Sequence, residues 1–320
     1  MTDIVGLVLP FFGMIFLGAA VARITRQPIE ALGWMNTFVI YVALPALFFQ
    51  LIARTPVEEL TEWSYIFGVV LSAYIVFALM FVFSIVFSGG LISESTIKGL
   101  AAAYGNIGYM GPGLALLTFG EAAAVPVALI FCFENIMHFA VAPTMMALSG
   151  EEKASRWKVA LKVVRQIAFH PFIIATAAGV LAAWLQFQPP MAIDRLLQYL
   201  AQAAAPCALF AMGVTLALRP LKRVPKELGL IAALKLVIHP LIVYVVLSAI
   251  GDFPDIWVYT AVLMAALPTA TNVFVIGQQY GVWVERASAS ILLTTVISVV
   301  TLTALLYAIT SGMLPPNLFR

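Results

Sequence analysis

An all-α integral membrane protein of ten transmembrane helices, laid out as two five-helix halves of opposite orientation with the fourth and ninth helices broken, is the fold class this sequence predicts. Three observations carry that expectation. Of the 320 residues 63% are hydrophobic and 10% charged, with a mean hydropathy of +1.04, whereas charged residues make up about 25% of a soluble domain. Apolar runs long enough to cross a bilayer, roughly 17–25 residues, occur at about 5–22, 32–53, 63–87, 97–118, 123–148, 170–187, 194–217, 227–250, 256–279 and 287–311. Residue types also recur at a constant offset of 161 positions: Pro10 with Pro171, Gly18 with Gly179, Ala43 and Pro45 with Ala204 and Pro206, Phe49 with Phe210, and Gly120 with Gly281.

The runs read as helices because the alternating ten-residue segments of a membrane barrel are absent. The first resembles a signal peptide in length, yet Asp3 stands before it and the positive charge, Arg23, follows it. That is the reverse of a signal peptide's charge order, so we read it as a mature helix. The second and seventh runs carry mid-span prolines, Pro45 and Pro206, which kink a helix by removing a hydrogen-bond donor. Cys132 and Cys207 fall inside spans, where a free thiol acts as a small hydrophobe, so neither a disulfide framework nor a metal site is expected.

Five spans per half is an odd number, so the second half enters the membrane upside down relative to the first, with a pseudo-two-fold axis in the membrane plane. The halves are 1–150 and 169–320, joined by a cytoplasmic linker at 151–168. The stretch Ser149 to Arg165 around that linker suits either a short amphipathic helix on the leaflet surface or a solvated loop. Connections on one side, at 23–31, 88–98, 149–168, 218–226 and 280–286, hold thirteen of the seventeen basic residues, among them Arg23, Arg26, Lys153, Arg156, Lys158, Lys162, Arg165, Arg219, Lys222, Arg223 and Lys226. The other side has Arg54, Arg195 and Arg320. By the positive-inside rule the protein is a multi-pass protein of the cytoplasmic (inner) membrane with both termini outside the cytoplasm. The net charge of +2 is then a topological signal, and no nucleic-acid partner is implied.

Two runs carry helix breakers where a lipid-facing helix has none. Ala101 to Gly120 is interrupted by Gly105-Asn106-Ile107-Gly108 and again by Gly111-Pro112-Gly113, and Ala261 to Gly281 by Leu267-Pro268-Thr269-Ala270-Thr271-Asn272. Unwound backbone is tolerated at membrane depth only where protein buries it or it lines a water-filled cavity. Paired broken helices at corresponding positions of two repeats mark a transporter's binding site.

Ala265-Ala266-Leu267-Pro268, Phe274-Val275 and Tyr280, together with Asn106 and Met110-Gly111-Pro112, resemble the auxin efflux carrier family, which includes plant PIN-type carriers and bacterial permeases for malonate or malate. The resemblance spans all ten runs, without the plant proteins' long central cytoplasmic loop, and with no residue between Gly111 and Pro112 where many plant members insert one. It implies a fold similar to NhaA and the bile-acid transporters, with helices 4 and 9 crossing at their breaks. It further implies a transport domain of helices 3–5 and 8–10, a scaffold of helices 1, 2, 6 and 7, an elevator-type movement, and a homodimer.

Half-helices that begin at a break present unpaired N–H groups and a positive dipole end, which suits a carboxylate. Asn106 at one break, and Thr269, Thr271 and Asn272 at the other, add amide and hydroxyl groups, although the two asparagines could equally cap freed backbone. Gly108, Tyr109, Met110, Pro112 and Pro268 complete the expected substrate site, with plain packing as the other reading of Tyr109 and Met110. Chemistry should also appear where the repeat fails. Glu134, Asn135 and His138 map to Thr295, Val296 and Val299, and Lys235 maps to Tyr74. An ionisable group near the bilayer centre costs about 2.5–3.5 kcal/mol on insertion scales and is normally paired and functional. Glu134 and His138 share a helix face. We read Glu134 as a coupling site or proton carrier, with Asn135, His138 and Lys235 as its relay; a static buried pair of Glu134 with Lys235 is the other reading. His170 and His239, each before a proline, read as structural.

No HExxH, GxSxG or clustered metal-ligand set appears, and no P-loop, so neither an enzyme nor an ATP-driven pump is expected. The predicted function is secondary transport of small organic anions, with no cofactor beyond a coupling H⁺ or Na⁺. The alternatives are a Na⁺-coupled carrier of the bile-acid type, with Asn106, Thr271, Asn272 and Glu134 as oxygen ligands, and a membrane ligand sensor. The expected partners are the anion, the lipid bilayer and a second copy of the chain.

Overall fold

The computed structural model describes residues 2–87, 89, 91–150, 157, 161, 164, 165, 168–218 and 224–319, without the side chains of 2–5, 7 and 8. The linker helix expected at 149–165 falls largely outside them. The described residues form helices α1 (Thr2–Thr25), α2 (Ile29–Ala53), α3 (Trp63–Phe87), α4 (Ile92–Ala103), α5 (Gly111–Phe119), α6 (Ala124–Leu148), α7 (Pro171–Trp184), α8 (Met191–Leu218), α9 (Leu228–Ile250), α10 (Asp255–Ala265), α11 (Thr271–Tyr280) and α12 (Val284–Thr310). Among them the sole β-type pairing is an isolated antiparallel bridge between Gly105 and Thr269.

Six stretches are long and apolar enough to cross a membrane: α2, α3, α8, α9, α12 and the run Gly111–Leu148. The runs predicted at 97–118 and 256–279 are each divided into two half-helices, α4 with α5 and α10 with α11. One sequence expectation is corrected here. Gly111-Pro112-Gly113 does not interrupt the helix a second time; it forms the first turn of α5, where proline's missing N–H is an orphan in any case.

The chain separates into two compact units. The first comprises Met1–Glu62, Gly108–Cys132 and Ala168–Pro220, and so holds α1, α2, α5, α7, α8 and the start of α6. Its helices meet through glycine. A Cβ on Gly18 of α1 would strike the backbone carbonyl of Phe210 on α8, and one on Gly213 of α8 the carbonyl of Ile15. On α7, a Cβ at Gly179 would lie 2.9 Å from Ile52 Cβ and 3.2 Å from the Phe49 carbonyl of α2. The Gly18–Phe210 and Gly179–Phe49 contacts are one relation written twice, since each residue of one stands 161 positions from a residue of the other. Small residues let membrane helices approach this closely. On α5, Gly113 has the same function against Ala205 and Phe11.

The second unit comprises Trp63–Ile107, Phe133–Ile167 and Leu221–Arg320. Gly99 of α4 lies under the Phe77 ring of α3, and Gly68 of α3 under Leu247 of α9. The Tyr65 hydroxyl donates to the Trp257 carbonyl at 3.0 Å, tying α3 to α10. A charged cluster joins α4, α9 and α12. Lys98 Nζ lies 3.0 Å from Glu94 Oε1 and 2.7 Å from Glu227 Oε1, and Arg286 Nη1 lies 3.2 Å from the same Glu94 oxygen.

Two wide π turns occur, at Val39–Ala43 in α2 and Leu234–Ile238 in α9, with Leu44 N–H donating to the Val39 carbonyl and His239 N–H to the Leu234 carbonyl. Each ends two residues before a proline, Pro45 or Pro240. A proline inside a helix has no N–H for the carbonyl four residues back, and an inserted π turn is one way the ladder accommodates that. Pro206 lies within α8 without such a turn.

Candidate functional site

The second unit contains the meeting of two breaks. Helix α4 stops at Ala103 because Tyr104 turns extended (φ −76°, ψ 101°) and Gly105 pairs with Thr269. Asn106 N–H donates to the Pro268 carbonyl at 2.8 Å and Ala270 N–H to the Tyr104 carbonyl at 2.9 Å. The Thr269 hydroxyl donates to the Ala101 carbonyl at 2.7 Å. Backbone groups freed by one break are thus taken up by the other, removing a cost of several kcal/mol for each unpaired group in hydrocarbon. Space at Gly105 is tight, since a Cβ there would lie 3.2 Å from Lys235 Nζ and 3.3 Å from the Met264 carbonyl oxygen.

A chain of polar side chains leaves this crossing. Asn272 Nδ2, in the first turn of α11, donates to the Tyr104 hydroxyl at 2.7 Å, and the Tyr104 hydroxyl donates in turn to Asn135 Oδ1 on α6. The Tyr104 ring stacks on His138, one turn further along α6, with centroids 3.9 Å apart and planes 20° from parallel. Neither ring nitrogen of His138 has a hydrogen-bond partner, although both are buried. The stack with Tyr104 therefore holds this ring, and no hydrogen bond to Glu134 does. Glu134 itself is 2% exposed.

Lys235 is fully buried on the π turn of α9. Its Nζ donates to the Ala265 carbonyl at the end of α10 and lies 3.0 Å from His239 Nδ1. No ion pair within 4.0 Å joins it to Glu134. His239 Nε2 has no hydrogen-bond partner.

Of the residues singled out from sequence, Asn106, Pro268, Thr269, Thr271, Asn272, Glu134, Asn135, His138 and Lys235 belong to the second unit. Within it the structure joins Asn106 to Pro268, and Asn272 through Tyr104 to Asn135 and His138. Thr271 opens α11, half-buried. Gly108, Tyr109, Met110 and Pro112 belong to the first unit. There a Cβ on Gly108 would lie 3.0 Å from the Phe131 ring. That ring stacks on Phe48 at 4.2 Å and meets Phe172 edge-on at 4.5 Å.

Two participants were not anticipated. Tyr104 stands in the alanine run that leads into the break, and its aromatic character alone does not tell a hydrogen-bond hub from packing. His239 read as structural, yet it is a direct neighbour of Lys235; four-residue spacing on one helix was the available signal.

Chemically, the second unit offers a buried ammonium, a buried carboxylate and a line of neutral donors and acceptors. Among the described residues no group of three or more His, Cys, Asp or Glu is placed to hold a metal ion.

A model of the family described as Membrane transport protein matches residues 3–306. A protein from Rhizobium meliloti (strain 1021) bearing the name "Putative malonate transporter" is 63% identical over 319 residues, 100% of each chain. A protein from Methanothermobacter thermautotrophicus named "Uncharacterized transporter" is 26% identical over 203 residues, covering 63% of this chain and 64% of its own.

Proposed function

The chain belongs to the Membrane transport protein family, that of the auxin efflux carriers, whose members are transporters and not enzymes, and from that premise we propose that it is a secondary transporter of small organic anions. Malonate is the first candidate because the full-length relative at 63% identity carries that name. The observation that carries the reading is the crossing in the second unit. Two broken apolar helices are held together by Gly105 and Thr269, beside a buried lysine and a buried glutamate on neighbouring helices. An apolar chain retains such groups at membrane depth for function.

The proposed architecture counts each broken pair as one helix, giving ten helices in two inverted repeats. The reciprocal Gly18–Phe210 and Gly179–Phe49 contacts support the inverted relation. The proposed movement is of the elevator type, with helices 3–5 and 8–10 carrying the substrate along a scaffold of helices 1, 2, 6 and 7. Support comes from the grouping of α1, α2, α7 and α8 in one unit and of α3, α4, α9, α10, α11 and α12 in the other, while α5 and the start of α6 group with the former and stand outside that division. The proposed orientation, supported by the basic connections on one side, has both termini outside the cytoplasm, and in the proposed homodimer the scaffold faces make the contact. The carboxylate binds in the second unit at the N-terminal end of α11, among Asn106, Pro268, Thr269, Thr271 and Asn272. Glu134 carries the coupling proton.

The test is uptake and charge movement in proteoliposomes with malonate, malate, succinate and indole-3-acetate, imposing H⁺ and Na⁺ gradients separately. Expected is saturable malonate uptake that follows the pH gradient and stops following it in Glu134→Gln. Gradient-driven uptake unchanged in that variant would remove Glu134 from coupling, and no uptake of any of these anions would remove the substrate class.

A further inference from the structure

The end of α10 carries more carbonyl oxygens than its own helical ladder supplies donors for. In an α-helix the carbonyl of Met264 accepts from the N–H four residues on, but residue 268 is proline and has none. Met264 is left with a long bond from Leu267 N–H, at 3.4 Å, and a share of the Ala266 N–H, which also donates to Val262 and Leu263. The Ala265 carbonyl should receive Thr269 N–H, yet that group donates to Thr294 Oγ1 at 3.2 Å. The Ala266 carbonyl should receive Ala270 N–H, which donates instead to Tyr104. Three successive carbonyls at the negative end of a helix dipole, all in buried residues, thus lack the donor four residues on. Half-helix C-termini of this kind coordinate Na⁺ in transporters.

Lys235 enters this position. Its ammonium donates to the Ala265 carbonyl and to His239 Nδ1, two of its three N–H groups. Both Nζ and the Met264 oxygen come close enough to crowd any side chain at Gly105. The titratable groups acting on it are Glu134 and His138 on α6 and His239 on its own helix.

We propose that Lys235 is a tethered cation filling the carbonyl site that the break at Pro268-Thr269-Ala270 opens at the end of α10, so that this protein binds no metal cation there and transports without Na⁺. This rests on the transporter reading for its consequence but not for its chemistry, so it can be tested without substrate. It also separates this chain from the Na⁺-coupled alternative: the oxygens are present, and the protein brings its own positive charge to them.

The experiment is a thermal melt of the purified full-length protein in detergent, comparing NaCl with choline chloride, for the wild type, Lys235→Ala, Lys235→Arg and the double variant Lys235→Ala with Pro268→Ala. Removing the ammonium opens the site to a free cation, so Lys235→Ala should gain a saturable Na⁺-dependent rise in melting temperature of about 3–5 °C. Wild type and Lys235→Arg should melt alike in both salts. The double variant, with an N–H restored at 268, should lose part of that rise. A Lys235→Ala protein recoverable only from sodium-containing buffer also supports the proposal. Equal melting of Lys235→Ala in both salts overturns it, as does Na⁺ stabilisation of the wild type, or a Lys235→Ala protein recoverable in neither salt and not rescued by Pro268→Ala. Absence of anion uptake by the wild type would leave these melts readable and would count against the transporter reading alone.

Discussion

Two lysines of the second unit are almost equally buried, Lys98 at 2% and Lys235 at 0% exposed, and they keep opposite company. Lys98 lies between two carboxylates, Glu94 and Glu227, the first of them shared with Arg286. Two positive and two negative groups there cancel, and both glutamates keep some contact with solvent. Lys235 has a carbonyl, an imidazole and a carboxylate beyond ion-pair range. A buried charge costs several kcal/mol unless it is closely paired. The first lysine meets that cost with counter-charges in a closed network; the second meets it with dipoles and a distant glutamate, and remains able to respond to a moving anion or proton. Burial alone therefore does not identify the functional cation; the saturation of its partners does.

Neutralising each lysine should pull the two apart. Lys235→Met is expected to abolish gradient-driven malonate uptake in proteoliposomes, per folded molecule, because it removes the buried cation beside the crossing. Lys98→Met should leave uptake per folded molecule within about twofold while lowering stability by about 1–3 kcal/mol, the partial exposure of its glutamates moderating the loss. A melt and an uptake assay on the same preparation check both. If Lys98→Met abolished uptake without changing the melt, the contrast would fail.

Gly105→Val tests whether space beside Lys235 matters. A Cβ at 3.2 Å from Nζ has no room to grow, and overpacking of this kind costs about 1–3 kcal/mol, read as a lower melting temperature. The smallest expected effect is that of Tyr104→Phe, which removes the hydroxyl between Asn272 and Asn135. Two amides then lose one partner each, worth about 1–2 kcal/mol in stability. Comparison of its pH–uptake curve with that of the wild type shows whether the hydroxyl also contributes to proton movement.

Much of this was legible in one sequence. Glycine and proline inside otherwise unbroken apolar runs gave both breaks, because nothing else explains helix breakers at membrane depth. Departure from the 161-residue repeat led to Glu134, Asn135, His138 and Lys235. What sequence could not give was partnership. The Gly105–Thr269 bridge and the Tyr104 relay arise from residues more than 160 positions apart along the chain, or from α6, and no local period encodes them. Gly111-Pro112-Gly113 reads as an interruption in sequence because the same residues that end a helix also start one, and only position relative to the break decides. Lys98 reads as a surface charge, standing at the edge of a run where a basic residue ordinarily means the membrane surface.

The glycine contacts of the first unit have a mechanical consequence. Where Gly18 and Gly213 bring the backbones of α1 and α8 together, no side-chain rotamer lies in between to absorb strain. Such seams have little compliance: a force applied to one helix passes to its neighbour as displacement instead of being lost in rearranged side chains. A frame fastened at Gly18, Gly179 and Gly213 has the stiffness of its backbone, and enlarging any one of those three residues would turn a rigid joint into a wedge.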